Sequence, residues 1–194
     1  MQATVGSGFA VVSVPVLALV DPRLVPVPQL LVALPMTITM AWRERRAMEL
    51  SRVTWILAGR LPGAAAGLVL LKMFDGRHLD VAIAVIVMAV VAAMAMGLRV
   101  RRNPATEFGT GIAAGVTGLV ASIGGPPVAL LYSRERGPLL RSNLAAVFSV
   151  GILISVATRV GSAEITSTDW QVAAWLLPAV AAGYLIGGRF TARV

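Results

Sequence analysis

The sequence predicts an all-α polytopic membrane protein made of two inverted repeats, each a re-entrant, broken helix pair followed by about three transmembrane helices. Three observations carry this expectation. Hydrophobic residues make up 57% of the chain and charged ones 13%, where a soluble domain carries roughly 25% charged residues. Uncharged runs close to the ~20 residues needed to span a bilayer recur along the whole length. The longest of them, between Glu107 and Arg134, holds 26 residues and is interrupted by Ile123-Gly124-Gly125-Pro126-Pro127.

The runs follow in order. Met1 to Val20 is apolar but has neither a basic n-region nor a small-residue cleavage end, so it does not read as a cleaved signal peptide. Leu24 to Trp42 and Val53 to Leu71 come next, the latter interrupted by Arg60, and then Val81 to Leu98. Pro15 and Pro35 are expected to kink their helices. Phe108 to Ser133 cannot be one helix, because proline lacks the backbone donor and clashes with the preceding turn. It is also too short for two crossings of ~20 residues each, yet long enough for two half-depth helices. Ser142 to Thr158 and Trp170 to Gly188 complete the set.

The chain repeats itself. Thr54-Trp55 opens a run containing Pro62-Gly63-Ala64-Ala65-Ala66-Gly67, and Asp169-Trp170 opens another containing Pro178-Ala179-Val180-Ala181-Ala182-Gly183. Upstream, Gly6-Ser7-Gly8 stands at about the same offset from the first Trp as Gly124-Gly125-Pro126-Pro127 does from the second. Residues 1–102 form the first repeat, 103–107 a linker and 108–194 the second.

The formal net charge is +8. On a soluble chain that would point to nucleic acid, but here the arginines sit in short loops between apolar runs, where positive charge orients a membrane protein. If every run simply crosses, Arg23, Lys72, Arg77, Arg134, Arg136, Arg141, Arg189 and Arg193 fall on one side, and Arg43, Arg45, Arg46, Arg52, Arg99, Arg101, Arg102 and Arg159 on the other. That even split orients nothing. If instead Phe108 to Ser133 enters and returns to the same face, twelve fall on one side, leaving Arg23, Lys72, Arg77 and Arg159 on the other. The second arrangement obeys the positive-inside rule and inverts the repeats. Inverted repeats whose discontinuous helices meet near the midplane are a transporter architecture.

These residues carry a resemblance. Gly6-Ser7-Gly8-Phe9 with Val14-Pro15-Val16-Leu17, the span PVPQLLVALPMTITMAW, the basic loop RERR, and then Trp55 with LPGAAAG resemble the first repeat of the TauE/SafE family of sulfite and anion exporters. GLVASIGGPP, NLAAVFSVGILISV and LPAVAAGYLIGGRF resemble its second repeat. The likeness covers essentially the whole chain. It implies a multi-pass protein of the bacterial inner membrane that moves sulfite, sulfonates or related small anions, mostly outward. It also implies a half-helix before Gly6 and a last helix after the Trp170 span, and this sequence carries neither. The chain is therefore expected to be clipped at both ends, and the rival reading is a truncated, non-transporting membrane subunit or remnant. Small anions and the lipid bilayer are the expected partners; a homo-oligomer is allowed, and nucleic acid is not expected.

An anion site in a membrane needs positive potential without a permanent carboxylate beside it. The clusters Gly6-Ser7-Gly8 and Gly124-Gly125-Pro126 can bring backbone amides close to a ligand; the competing explanation is that their glycines allow tight helix crossing. Arg60 is the only charge well inside a run. Such a charge costs at least ~2.5 kcal/mol and is usually functional or paired, the alternative being a side chain that snorkels to the interface. Gln29 and Asn143 can hydrogen-bond an oxyanion or simply join helices. Ser7 and Ser122, with Thr37, Thr39 and Ser149, are weaker candidates because their hydroxyls often bond their own helix. All nine acids fall in loops or at the ends of runs, which disfavours a cation path or a carboxylate proton relay. Cysteine is absent and His78 has no partner at ligand spacing, so neither a metal nor a cofactor is expected, and no catalytic constellation is present.

Overall fold

The computed structural model describes residues 9–44, 53–74, 100–132 and 137–191, together with a few single positions between 81 and 96. The predicted run Val81 to Leu98 lies largely outside the described residues, and Gly6, Ser7, Gly8 and His78 lie wholly outside them. Among the described residues the chain is helical throughout, with no strand. The order is α1 (Phe9–Val20), a 3-10 turn (Pro22–Leu24), α2 (Val27–Glu44), α3 (Thr54–Met73), α4 (Pro104–Ala121), α5 (Gly125–Leu131), α6 (Gly137–Gly161) and α7 (Ser167–Thr191).

Local chemistry sets the sharper boundaries. At the start of α4 the Asn103 side chain accepts from the Thr106 amide at 2.8 Å, and Thr106 Oγ1 accepts from the Asn103 amide at 3.0 Å. Pro104 follows at the first helical position, where its missing donor costs nothing. Thr166 and Asp169 make the same reciprocal pair ahead of α7, at 2.8 and 3.3 Å. Pro35, Pro62 and Pro178 lie inside α2, α3 and α7. Among the described residues two segments, Thr54–Met73 and Ser142–Gly161, are long and apolar enough to cross a membrane. Trp55, Leu61, Val69, Leu153 and Val160 on these segments point large apolar side chains outward, as a surface in contact with lipid requires.

Glycines weld α3 to α4. A Cβ at Gly63 would stand 2.8 Å from Ile112 Cα, one at Gly115 2.8 Å from the Arg60 carbonyl, and one at Gly67 3.3 Å from Val116 Cα. The contacts advance together along both helices, so α3 and α4 run parallel at backbone-to-backbone distance, the small-residue packing of membrane helices. The start of α6 joins them: Leu144, Val147 and Phe148 form one buried cluster with Val53, Ile56, Ala114, Val128, Leu131 and Tyr132. Further along, Gly151 lies at the Arg60 side chain and Arg159 reaches Leu119. Thus α3, α4 and α6 all start at one end of the bundle.

On the other side of α6, Val27, Leu30, Leu31 and Val32 of α2 pack with Val156 of α6 and Ala173 of α7. Helices α2 and α7 therefore both start at the far end and run against α6. Helix α3, which opens with Trp55, and helix α7, which contains Trp170, point in opposite directions.

Candidate functional site

The break in the long apolar run is a fold-back. Helix α4 ends at Ala121, and Ser122 takes up a left-handed conformation at φ 59°. The chain then returns along α4 far enough that a Cβ on Gly124 would stand 2.9 Å from the Ala114 carbonyl oxygen and 3.4 Å from Gly118 Cα. Glycine alone fits there. From that level the 7 residues of α5 descend about 10 Å at 1.5 Å per residue, which is the distance from Ala114 back to Glu107 on α4. The descent ends at Tyr132, whose ring is covered by the Arg102 guanidinium at 4.5 Å. Arg102 also pairs with Glu107 at 2.9 Å. Residues before α4 and after α5 therefore meet at one end. Glu107, placed by sequence at the edge of a run, is buried in the first turn of α4, with its charge paired.

Three elements hold the tip. Arg159 of α6 donates to the Leu119 carbonyl from Nε at 3.1 Å and from Nη2 at 2.5 Å, and Nη2 also lies 3.4 Å from the Val120 carbonyl. These are carbonyls of the last turn of α4, which lack helical partners and attract a cation. Ser122 Oγ donates to the Pro26 carbonyl at 2.8 Å, tying the tip to the start of α2. Helix α1 touches α5 as well. By sequence Arg159 falls among the loop charges of the poorer side. It is instead in the last turn of α6 and 3% exposed, because the end of a broken helix needs a donor and this one reaches it.

Arg60 does not snorkel. It is 3% exposed, and its guanidinium points into the junction of α4, the break and α6. A Cβ on Gly124 would lie 3.3 Å from Nη2, and one on Gly118 3.7 Å from Nη1. At Gly151 a Cβ would collide with the guanidinium itself. Among the described residues Nε and Nη2 have no hydrogen-bond partner. Among the described residues no carboxylate pairs with the group, and the buried acid Glu107 is engaged by Arg102. A buried charge without compensation costs roughly 3–5 kcal/mol, so the chain keeps Arg60 here at a stability disadvantage.

The remaining candidates separate. Gly125 and Pro126 form the buried first turn of α5, with Gly125 facing the Phe148 ring. Gln29 is buried on α2 and donates from Nε2 to Ser13 Oγ of α1 at 2.7 Å, leaving its Oε1 without a partner. Asn143 is buried on α6. Thr37 and Thr39 bond carbonyls of their own helix at 3.0 and 2.7 Å. The structure thus joins Arg60 with Gly124 and sends Ser122 and Gln29 to other partners. Gly118 and Gly151, which complete the surround of Arg60, were not singled out by sequence; an uninterrupted glycine in an apolar helix was the available signal. Among the described residues no cluster of acids and histidines could hold a metal.

A family model described as "Sulfite exporter TauE/SafE" matches residues 1–194. No curated protein and no solved structure matches the chain.

Proposed function

This chain belongs to the TauE/SafE family of membrane sulfite exporters, and on that premise we propose that it exports sulfite, sulfonates or related small anions across the bacterial inner membrane by alternating access. The observation that carries the anion reading is the buried guanidinium of Arg60 at the fold-back of a discontinuous helix pair, whose Nε and Nη2 have no hydrogen-bond partner among the described residues. A fixed cation with no counter-charge attracts an anion and repels a cation, and the break supplies the irregular backbone that at membrane depth must be buried in protein or line a cavity.

The inverted-repeat reading draws support from the same geometry. The Trp55 and Trp170 helices run in opposite directions, and α1, which follows the first glycine cluster, touches α5, which opens within the second. Two elements that meet in this way can rock about a shared site while it opens to each face in turn. In this arrangement the end of the bundle where α3, α4 and α6 begin is the cytoplasmic one.

Transport into or out of sealed proteoliposomes tests the function. Sulfite and methanesulfonate are expected to move faster in protein-containing vesicles than in empty ones. If sulfite, sulfonates, sulfate and carboxylates all fail to move, the anion-transport reading is lost.

A further inference from the structure

We propose that the free edge of Arg60 is a two-point subsite for one oxyanion head group, and that it selects anions with at least two oxygens on one central atom over monatomic anions. The proposal rests on the anion-transport reading above and deepens it by specifying how the site recognises its ligand.

A guanidinium is a planar fork of fixed donors. The two unpartnered atoms, Nε and Nη2, share one edge of that plane, and their N–H bonds point the same way. Such an edge accepts two oxygens of one group at once, which is what suits arginine to carboxylate- and phosphate-like ligands. A halide meets the same edge with a single centre and gains no second directed bond. Arg159 shows the edge in its filled form, with Nε and Nη2 both directed at the Leu119 carbonyl. The corresponding edge of Arg60 is satisfied by nothing among the described residues.

The surround fixes the plane of the guanidinium. The guanidinium lies against the backbone of Gly151, where any side chain would displace it. Nη1 faces Gly118 and Nη2 faces Gly124. With glycine on α4, on the break and on α6, the guanidinium is clasped by backbone, and among the described residues no side chain accepts a hydrogen bond from Nε or Nη2. Gly151 is thus a positioning residue: it sets the plane in which the fork is presented.

Purified protein in detergent, probed by ligand-dependent thermal stabilisation, reads this directly. Sulfite and methanesulfonate should stabilise the protein, and chloride at equal ionic strength should bind at least about tenfold more weakly, the difference expected from one charge-assisted hydrogen bond. Arg60→Lys keeps the charge but loses the fork, and should reduce the oxyanion preference to about twofold or less by the same reasoning. Gly151→Ala keeps the arginine but displaces it, and should lower sulfite affinity about tenfold. Competition of chloride against sulfite on the wild-type protein needs no variant. Equal competition, or an undiminished oxyanion preference in Arg60→Lys, overturns the two-point subsite while leaving anion transport standing. A wild-type protein that neither binds nor moves any anion overturns both.

Discussion

The guanidinium of Arg102 sits 4.5 Å above the centre of the Tyr132 ring, and between these two residues the chain climbs α4, breaks and comes back down α5. A helix and its sequel that began at opposite faces could not make this contact. The pair closes the hairpin at its base, as Arg159 closes it at its tip. Glu107 neutralises Arg102 from inside the first turn of α4. Replacing Glu107 by Gln leaves Arg102 beside a weaker acceptor and should lower stability by about 1–2 kcal/mol, the difference between a charged and a neutral hydrogen bond. Unfolding of the variant in a mixed-detergent titration measures it.

Arg159→Gln should cost more, about 2–3 kcal/mol, because buried carbonyls of α4 lose a charged donor. Arg159→Lys should recover part of that loss, since an ammonium restores the charge near the helix end but not the two-nitrogen grip. The same unfolding titration ranks the three proteins, and equal stability of all three would show that the tip is held by other contacts.

Glycine substitutions in one helix should differ sharply. At Gly111 a Cβ would stand 3.0 Å from Gly59 Cα and press on the α3 backbone, whereas at Gly109 it would meet nothing within 4 Å. Gly111→Ala should therefore destabilise by about 1–3 kcal/mol through overpacking. Gly109→Ala should be neutral or stabilise by up to about 1 kcal/mol, the usual gain from replacing an unconstrained helix glycine. Melting temperatures of the two variants decide the matter.

Arg60 should show stability and function pulling apart. Arg60→Met removes a buried, uncompensated charge and is expected to raise stability by about 1–3 kcal/mol. The same variant should lose anion export almost completely. A variant that is destabilised yet exports normally would show that Arg60 serves the fold rather than the anion. Thermal melts and vesicle flux on one preparation supply both readings.

Much of this was legible in the sequence because it is local. Uncharged runs mark helices, Gly-Gly-Pro-Pro marks a break, and a lone arginine in an apolar run marks a side chain that the fold buries. The ring contact between Arg102 and Tyr132 brings the two ends of the broken run together. Other features lie between elements far apart in the chain. Nothing near Arg159 signals that its guanidinium will meet a carbonyl on another helix. Gly118 and Gly151 look like ordinary small residues until the fold sets Arg60 between them.

The most direct test is the sidedness of the hairpin, and the absence of native cysteine makes it clean. Single cysteines at Ala105, Gly137 and Ala163 report the start of α4, the start of α6 and the turn after α6. Labelling with a membrane-impermeant maleimide in right-side-out and inside-out vesicles should place Ala105 and Gly137 together on the cytoplasmic face and Ala163 alone on the opposite one. If Ala105 and Gly137 label from opposite faces, the run from Phe108 to Ser133 crosses the membrane and the re-entrant account is wrong.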